Sequence, residues 1–334
     1  MNAYIKAISY YLPRNILSNE DISRNFPEWS TEKIARKVGI TERHIADKEE
    51  TAGDMAFQAA EKLFSEHQIN RNDIDFVFLC TQSPDYFLPS TSCVLQNKLG
   101  LRTNIGAFDF NLGCSGYIYG LAVSKGLIVA GIAKNVLLLT SETYTKYLHP
   151  LDKGNQTIFG DAATATLIST KGWGEIGEFV LGTDGAGAND LIIKSRATRH
   201  PLPYNDMYLD EGGNPVSSDH LYMNGGEIFT FTIEKVPALI NETLSKNQLA
   251  HSDIDLYVLH QANKYILDFL RKKMTIPIEK YYLDIEKVGN TVSSTIPIAL
   301  YHSMNSIFKS NNILLAGFGV GLSWGATIIK CSNE

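Results

Sequence analysis

Three residues far apart in the chain, Cys114, His260 and Asn290, share a local context, because each follows an apolar, strand-like run. Gly106 to Phe110 reads as a strand, Asn111-Leu112-Gly113 as a tight turn, and Cys114 to Val123 as a helix with small residues at its start. A thiol placed there meets the exposed N–H groups and positive dipole end of a helix, which favour the thiolate. His260 closes the run Leu256-Tyr257-Val258-Leu259, and Asn290 follows Gly289 between the strand-like Tyr281-Tyr282-Leu283 and a helix-like run. A thiolate beside an imidazole and a carboxamide suits thioester chemistry. The sulfur accepts an acyl group, and the other two donate hydrogen bonds to the enolate-like oxygen formed when a second thioester loses CO₂ or a proton. Taken singly, each has a plainer reading: an inert core cysteine, a satisfied core histidine and an ordinary Gly-Asn turn.

The elements that would bring them together come from an internal repeat. Residues 64–80 laid over 244–260 match Ser65 with Ser245, Gln68 with Gln248, Asp73-Ile74-Asp75 with Asp253-Ile254-Asp255 and Leu79 with Leu259 at one constant offset. Asn135-Val136-Leu137-Leu138 resembles Asn312-Ile313-Leu314-Leu315, and Ala165-Thr166-Leu167-Ile168 resembles Ala326-Thr327-Ile328-Ile329. A period of half the chain excludes solenoids, whose repeats run to about 20–50 residues. It implies two α/β units, which we bound at 1–172 and 173–334. In that scheme Cys80 pairs with His260 and Cys114 with Asn290, and pseudo-twofold packing gathers them at neighbouring strand ends. The polar stretch from Gly182 to Asn224 reads as an insertion over one face. Gly317-Phe318-Gly319-Val320-Gly321 lacks phosphate-loop spacing and reads as a turn whose backbone approaches the site and offers an N–H.

Composition sets outer bounds. The chain has 334 residues, 44% hydrophobic and 20% charged, ordinary for a globular protein. No stretch approaches the roughly 20 apolar residues of a membrane span, and no secretory leader pattern is present. A cytoplasmic enzyme without membrane association is expected. The formal net charge of −6 argues against nucleic acid as partner. The four cysteines have neither disulfide-framework nor metal-ligand spacing, so no metal is expected.

Taken together, the motifs resemble the β-ketoacyl-acyl-carrier-protein synthase III family of thiolase-like condensing enzymes. The resemblance is carried by Gly39-Ile40-Thr41-Glu42-Arg43-His44, Asp109 to Gly116, Phe159-Gly160-Asp161-Ala162-Ala163, His260-Gln261-Ala262-Asn263, Gly289-Asn290-Thr291 with Ile296-Pro297, and Gly317 to Gly325. It implies a thiolase-like fold of two duplicated βαβαβαββ halves forming a five-layered αβαβα core, in a homodimer. It implies Cys114 as acyl acceptor, His260 and Asn290 as the pair promoting decarboxylation, and an oxyanion hole from the backbone N–H groups of Cys114 and Val320. The implied partners are acyl-coenzyme A and malonyl-acyl carrier protein, with the coenzyme as substrate and no cofactor. Trp29, Lys153, Gly225, Phe229 and Asn263 are the expected coenzyme A and pantetheine contacts, Leu88 lines the acyl pocket, and Lys264, Arg271 and Lys272 dock the carrier protein. Departures fall on the substrate side. Trp29 lies farther from Gly39 than is usual, Gly226 stands where an asparagine is common, and Leu88 replaces a phenylalanine. An alternative follows from these departures, in which the acyl group passes to another acceptor of a specialised pathway.

Overall fold

The computed structural model describes residues 2–307 and 310–331. Met1 and 332–334, the outer ends of the two expected units, lie outside the described residues, as do 308 and 309.

Nine strands are hydrogen-bonded in one run. In chain order they are β1 (Tyr4–Tyr11), β2 (Phe76–Cys80), β3 (Gly106–Phe110), β4 (Asn135–Glu142), β5 (Ala162–Ser169), β6 (Gly174–Thr183), β7 (Leu256–Leu259), β8 (Asn312–Gly319) and β9 (Ser323–Cys331). Across the sheet the order is β7-β8-β9-β6-β1-β5-β4-β2-β3. Only Tyr4–Glu175 and Ile5–Gly174 join β1 to β6, so the run is two sheets meeting along a short seam. On either side of it the same plan recurs: β2 runs parallel to β4 as β7 does to β8, and β4-β5-β1 are antiparallel as β8-β9-β6 are.

The repeated Asp-Ile-Asp runs show why the sequence signal was visible. Asp75 accepts the N–H groups of Lys134 and Asn135 at 2.8 and 3.0 Å, and Asp255 accepts those of Asn311 and Asn312 at 2.7 and 3.3 Å. Gln68 and Gln248 both take left-handed backbone, at φ 51° and 58°. Each pair caps the entry of a parallel strand, a local demand that both copies must meet.

Helices α1 (Thr31–Val38), α2 (Ala52–Glu66), α3 (Gly116–Val129), α4 (Gly225–Lys246), α5 (Lys264–Lys273) and α6 (Thr295–His302) supply the layers. α3 and α6 are buried on several faces, with Tyr117, Ile118 and Leu121 on one and Ile296, Ala299 and Leu300 on the other inside a single apolar cluster with both sheets. α2 covers one outer face through Met55, Ala59 and Leu63, and α4 the other through Val236, Leu239 and Ile240. The result is the expected five-layered αβαβα core.

One expected strand differs. Tyr281-Tyr282-Leu283 makes a single bridge, Tyr257 with Tyr281, where its counterpart β3 pairs along five residues. Tyr282 N–H donates to Tyr257 O of β7 at 3.0 Å within that bridge, but Asp284 N–H donates to the side-chain Oε1 of Gln261 at 2.8 Å. A side chain thus takes the place of a ladder.

Candidate active site

The nucleophile candidate lies just ahead of α3. The helix begins at Gly116 with Ser115 as cap, rather than at Cys114 itself. Glycines crowd the thiol. A methyl group added at Gly319 would stand 2.9 Å from Cβ and 3.0 Å from Sγ of Cys114, and one at Gly317 would stand 2.7 Å from its carbonyl oxygen. The glycines at the end of β8 are therefore required by close backbone approach. Cys114 is 7% exposed, in a cluster with Tyr144, Phe159, Leu191, Leu221 and Val292.

The expected resting thiolate is not what this environment favours. Burial, and secondarily the nearby Glu142 carboxyl, push the Cys114 thiol up to about 12. The backbone N–H groups of Cys114 and Val320 oppose this by pointing at the sulfur. Desolvation outweighs the two donors and the helix start, so the free thiol holds its proton. The same donor pair is the one named from sequence as an oxyanion hole.

His260 directly follows β7, in the position that corresponds to Cys80 of the first copy. Its backbone N–H donates to Ala316 O at 2.8 Å, and its ring meets Phe318 edge-on at 5.7 Å. Nδ1 lies 2.7 Å from the hydroxyl of Thr295, which leaves Nε2 as the nitrogen free for a substrate. Burial lowers its pKa to about 3, so the imidazole is neutral. The carboxamide of Asn290 is oriented equally firmly. Its Oδ1 accepts Val292 N–H at 2.9 Å, leaving the Nδ2 amino group to donate. Backbone bonds to Ile158 and Gly160, with a parallel bridge to Phe159, fix its turn. Gly289, at φ +71°, must be glycine for that turn. Val292 shares the buried cluster of Cys114, which places the Asn290 turn beside the nucleophile.

Two recurring segments hold this frame from behind. Arg43, fully buried, donates from Nε to Thr157 O at 3.0 Å and from Nη1 to Asn19 Oδ1 at 2.6 Å. Burial lowers it to about 10, so it stays charged. Asp161 accepts the N–H groups of Ala46 and Thr145 at 2.9 and 3.0 Å.

The substrate-side residues are scattered. Trp29 lines a cavity of about 390 Å³ with Lys37, Asp152, Asn155, Asn214 and Met223 among others. The ammonium groups of Lys33 and Lys37 stand 5.2 and 5.1 Å from its ring centroid. Lys153 is paired to Glu28 at 2.9 Å. Gly225 opens α4 with free space around it, whereas Phe229 packs on Tyr265 and Phe269 of α5 rather than lining the cavity. Asn263 caps α5 through Ile266 N–H at 2.9 Å. Leu88, beside Tyr86 and Phe87 on an outer loop, is 83% exposed. On α5, Lys264 bonds the Asp268 carboxylate and lies against Gly39, and Arg271 donates to Ile276 O at 3.1 Å. Lys272 makes no ion pair among the described residues. Sequence reasoning missed Glu142 and Thr295. Extending the match of Asn135 with Asn312 would have set Glu142 opposite Gly319, a carboxyl at the end of a buried strand.

A buried thiol crowded by the glycines that end β8, an imidazole directly after β7 and a carboxamide in a turn packed on the thiol's own cluster, all in a doubled α/β core, are an arrangement suited to acyl transfer through sulfur. Residues 108–185 match the 3-oxoacyl-[acyl-carrier-protein (ACP)] synthase III family, and 244–331 match its C-terminal family. A β-ketoacyl-[acyl-carrier-protein] synthase III of Clostridium perfringens is 39% identical over 98% of this chain and 99% of its own. One of Fusobacterium nucleatum is 34% identical over 98% of both. A crystal structure of a 3-oxoacyl-(acyl-carrier-protein) synthase III superposes with a TM-score of 0.96 at 46% identity, covering 99% of this chain and 100% of that one. The chain belongs to the β-ketoacyl-acyl-carrier-protein synthase III family, whose members are condensing acyltransferases.

Proposed function

We propose that the chain joins an acyl-coenzyme A primer to malonyl-acyl carrier protein by decarboxylative Claisen condensation through acyl-Cys114. The observation that carries this reading is the buried Cys114 thiol, closed on by the backbone of Gly317 and Gly319 at the end of β8 and sharing one apolar cluster with Val292 of the Asn290 turn. In the first half-reaction Sγ loses its proton and attacks the acyl carbonyl. The C–S bond to coenzyme A breaks, and the departing thiolate takes up a proton. The two N–H groups hold the oxyanion in between. In the second, the bond to the malonyl carboxylate breaks, CO₂ leaves, and the electron pair forms an enolate whose oxygen is held by His260 Nε2 and Asn290 Nδ2. Thr295 holds Nδ1 and so orients the ring, and the neutral tautomer that carries its proton on Nε2 is the one this role needs. The enolate carbon attacks acyl-Cys114, and the sulfur is expelled. Summed, an acyl thioester, a malonyl thioester and one proton give a β-ketoacyl thioester, free coenzyme A and CO₂. No metal or organic cofactor enters these steps.

In this reading the Trp29 cavity receives coenzyme A, with Lys37 at its wall and Lys153 released from Glu28, and Gly225 and Asn263 border the pantetheine path. Lys272 is the docking cation on α5 least occupied within the chain. We place the halves at 1–172 and 173–334, between β5 and β6. The open edge of β3 and the exposed Tyr86-Phe87-Leu88 loop support a homodimer in which Leu88 reaches the partner's acyl pocket. We place the enzyme in the cytoplasm; no helix among the described residues is long and apolar enough to cross a membrane. Wild-type protein given radiolabelled acetyl-coenzyme A should carry label on Cys114 and lose it to product when malonyl-acyl carrier protein is added. A Cys114→Ala variant that still condenses would overturn the reading.

A further inference from the structure

Glu142 is fully buried at the end of β4, and its hydrogen bonds reach two separate segments. Gln82 N–H donates to both carboxyl oxygens at 3.0 Å, Ser83 Oγ to Oε2 at 3.0 Å, and Ser293 Oγ to Oε1 at 3.4 Å. Each contact leads on to the reacting groups. The side-chain Oε1 of Gln82 lies 2.7 Å from where a methyl group at Gly113 would stand, next to Cys114, and its Nε2 donates to Asn111 at 3.0 Å. Ser293 belongs to the turn that follows Asn290, whose Oδ1 is held by Val292. One carboxyl thus fastens the loop behind the nucleophile, from the first half, to the turn that presents the carboxamide, from the second.

We propose that Glu142 is a positioning residue that fixes Asn290 relative to Cys114, so that its loss weakens condensation far more than acylation. The inference rests on the Cys114, His260 and Asn290 roles above. Acylation needs only the thiol and its two backbone donors, and both lie within reach of residues 113–116 and 319–320. Condensation also needs the Nδ2 group at a set distance from the acyl-sulfur, which depends on the two halves keeping register. Burial holds the Glu142 carboxyl up near 8, so around neutrality it is an uncharged acid that an amide can imitate. The titratable groups facing it are Cys80 on β2, Cys114 ahead of α3, Tyr144 and Tyr147 after β4, and Asp161 ahead of β5.

The test separates the half-reactions. Acylation is read as the quenched rate of Cys114 labelling by acetyl-coenzyme A, and condensation as kcat with malonyl-acyl carrier protein. Glu142→Ala should acylate within about threefold of wild type while condensing about 10²-fold more slowly, the cost of roughly 1 Å of misplacement. Glu142→Gln, which keeps the side chain's length and an oxygen to accept from Gln82, Ser83 or Ser293, should recover most of the condensation rate at pH 7. Equal losses in both half-reactions, or in neither, overturn the proposal. If Glu142→Ala does not fold, Ser293→Ala, which cuts the link from the carboxyl to the Asn290 turn, takes its place, and equal losses in both half-reactions, or in neither, overturn the proposal. Wild type that never labels Cys114 would defeat the functional reading itself, a separate outcome.

Discussion

Gly319→Ala is the sharpest perturbation of the nucleophile available without touching it. The added methyl would stand 2.9 Å from Cβ and 3.0 Å from Sγ of Cys114. Comfortable contact needs about 3.5–4.0 Å, so the sulfur or the strand must yield by roughly 0.5–1 Å. Neither side has slack, because Gly319 is paired with Ser323 of β9 and α3 is buried between the sheets. A displacement of that size takes Sγ off the N–H groups of Cys114 and Val320. Losing such a donor costs about 10²–10³ in rate, and misplacement by 1 Å about 10². Overpacking also removes about 1–3 kcal/mol of stability. The assay is the rate of Cys114 labelling by acetyl-coenzyme A, followed by intact mass. We expect a fall of about 10²-fold with a lowered melting midpoint. Gly126→Ala is the control, since Gly126 lies within α3 with nothing near its added methyl, and it should gain about 0.5–1 kcal/mol with unchanged labelling. Gly319→Ala labelling at the wild-type rate would refute the close approach on which the site is built.

Other outcomes follow from the same geometry. Thr295→Val removes the 2.7 Å partner of His260 Nδ1. It should lower condensation about tenfold and leave acylation intact, as a half-reaction comparison would show. Trp29→Ala should raise KM for acetyl-coenzyme A about tenfold at unchanged kcat, since it removes ground-state binding alone. Stability should fall on the alkaline side. Burial raises Glu142 from 4.5 to about 8 and Asp161 from 3.8 to about 6, so the folded chain retains protons the unfolded chain has released. The stability they contribute is complete below the unfolded values and is lost as pH rises through about 6 and then about 8. His260, lowered from 6.5 to about 3, acts oppositely and only below 6.5. Melting midpoints followed from pH 6.5 to 8.5 should therefore decline, and less steeply in Glu142→Gln.

How legible the protein was from sequence depended on what each feature answers to. The doubled core was readable because Asp75 and Asp255 cap equivalent strand entries, a requirement local enough to preserve residue types in both copies. The juxtaposition of Cys114 with the Asn290 turn followed from that symmetry. The protonation of Cys114 was not readable, since helix-start context points to a thiolate while burial and Glu142 act through neighbours remote in sequence. Tyr281-Tyr282-Leu283 has strand composition, yet Gln261 takes the hydrogen bond that a ladder would use. Long side chains on the substrate side were hardest to place. Lys153 turns to Glu28, Arg271 to a loop carbonyl and Phe229 to the α5 aromatics, partners that periodicity does not reveal.

The most direct measurement of the central claim is a two-stage single-turnover experiment. Protein is mixed with acetyl-coenzyme A, freed of small molecules, digested and searched by mass spectrometry for the acyl adduct. It is then chased with malonyl-acyl carrier protein while CO₂ is counted. The account predicts one acetyl group on Cys114, and its loss with equimolar acetoacetyl-carrier protein and CO₂. An adduct on another residue, or condensation by a Cys114→Ala variant, would contradict it.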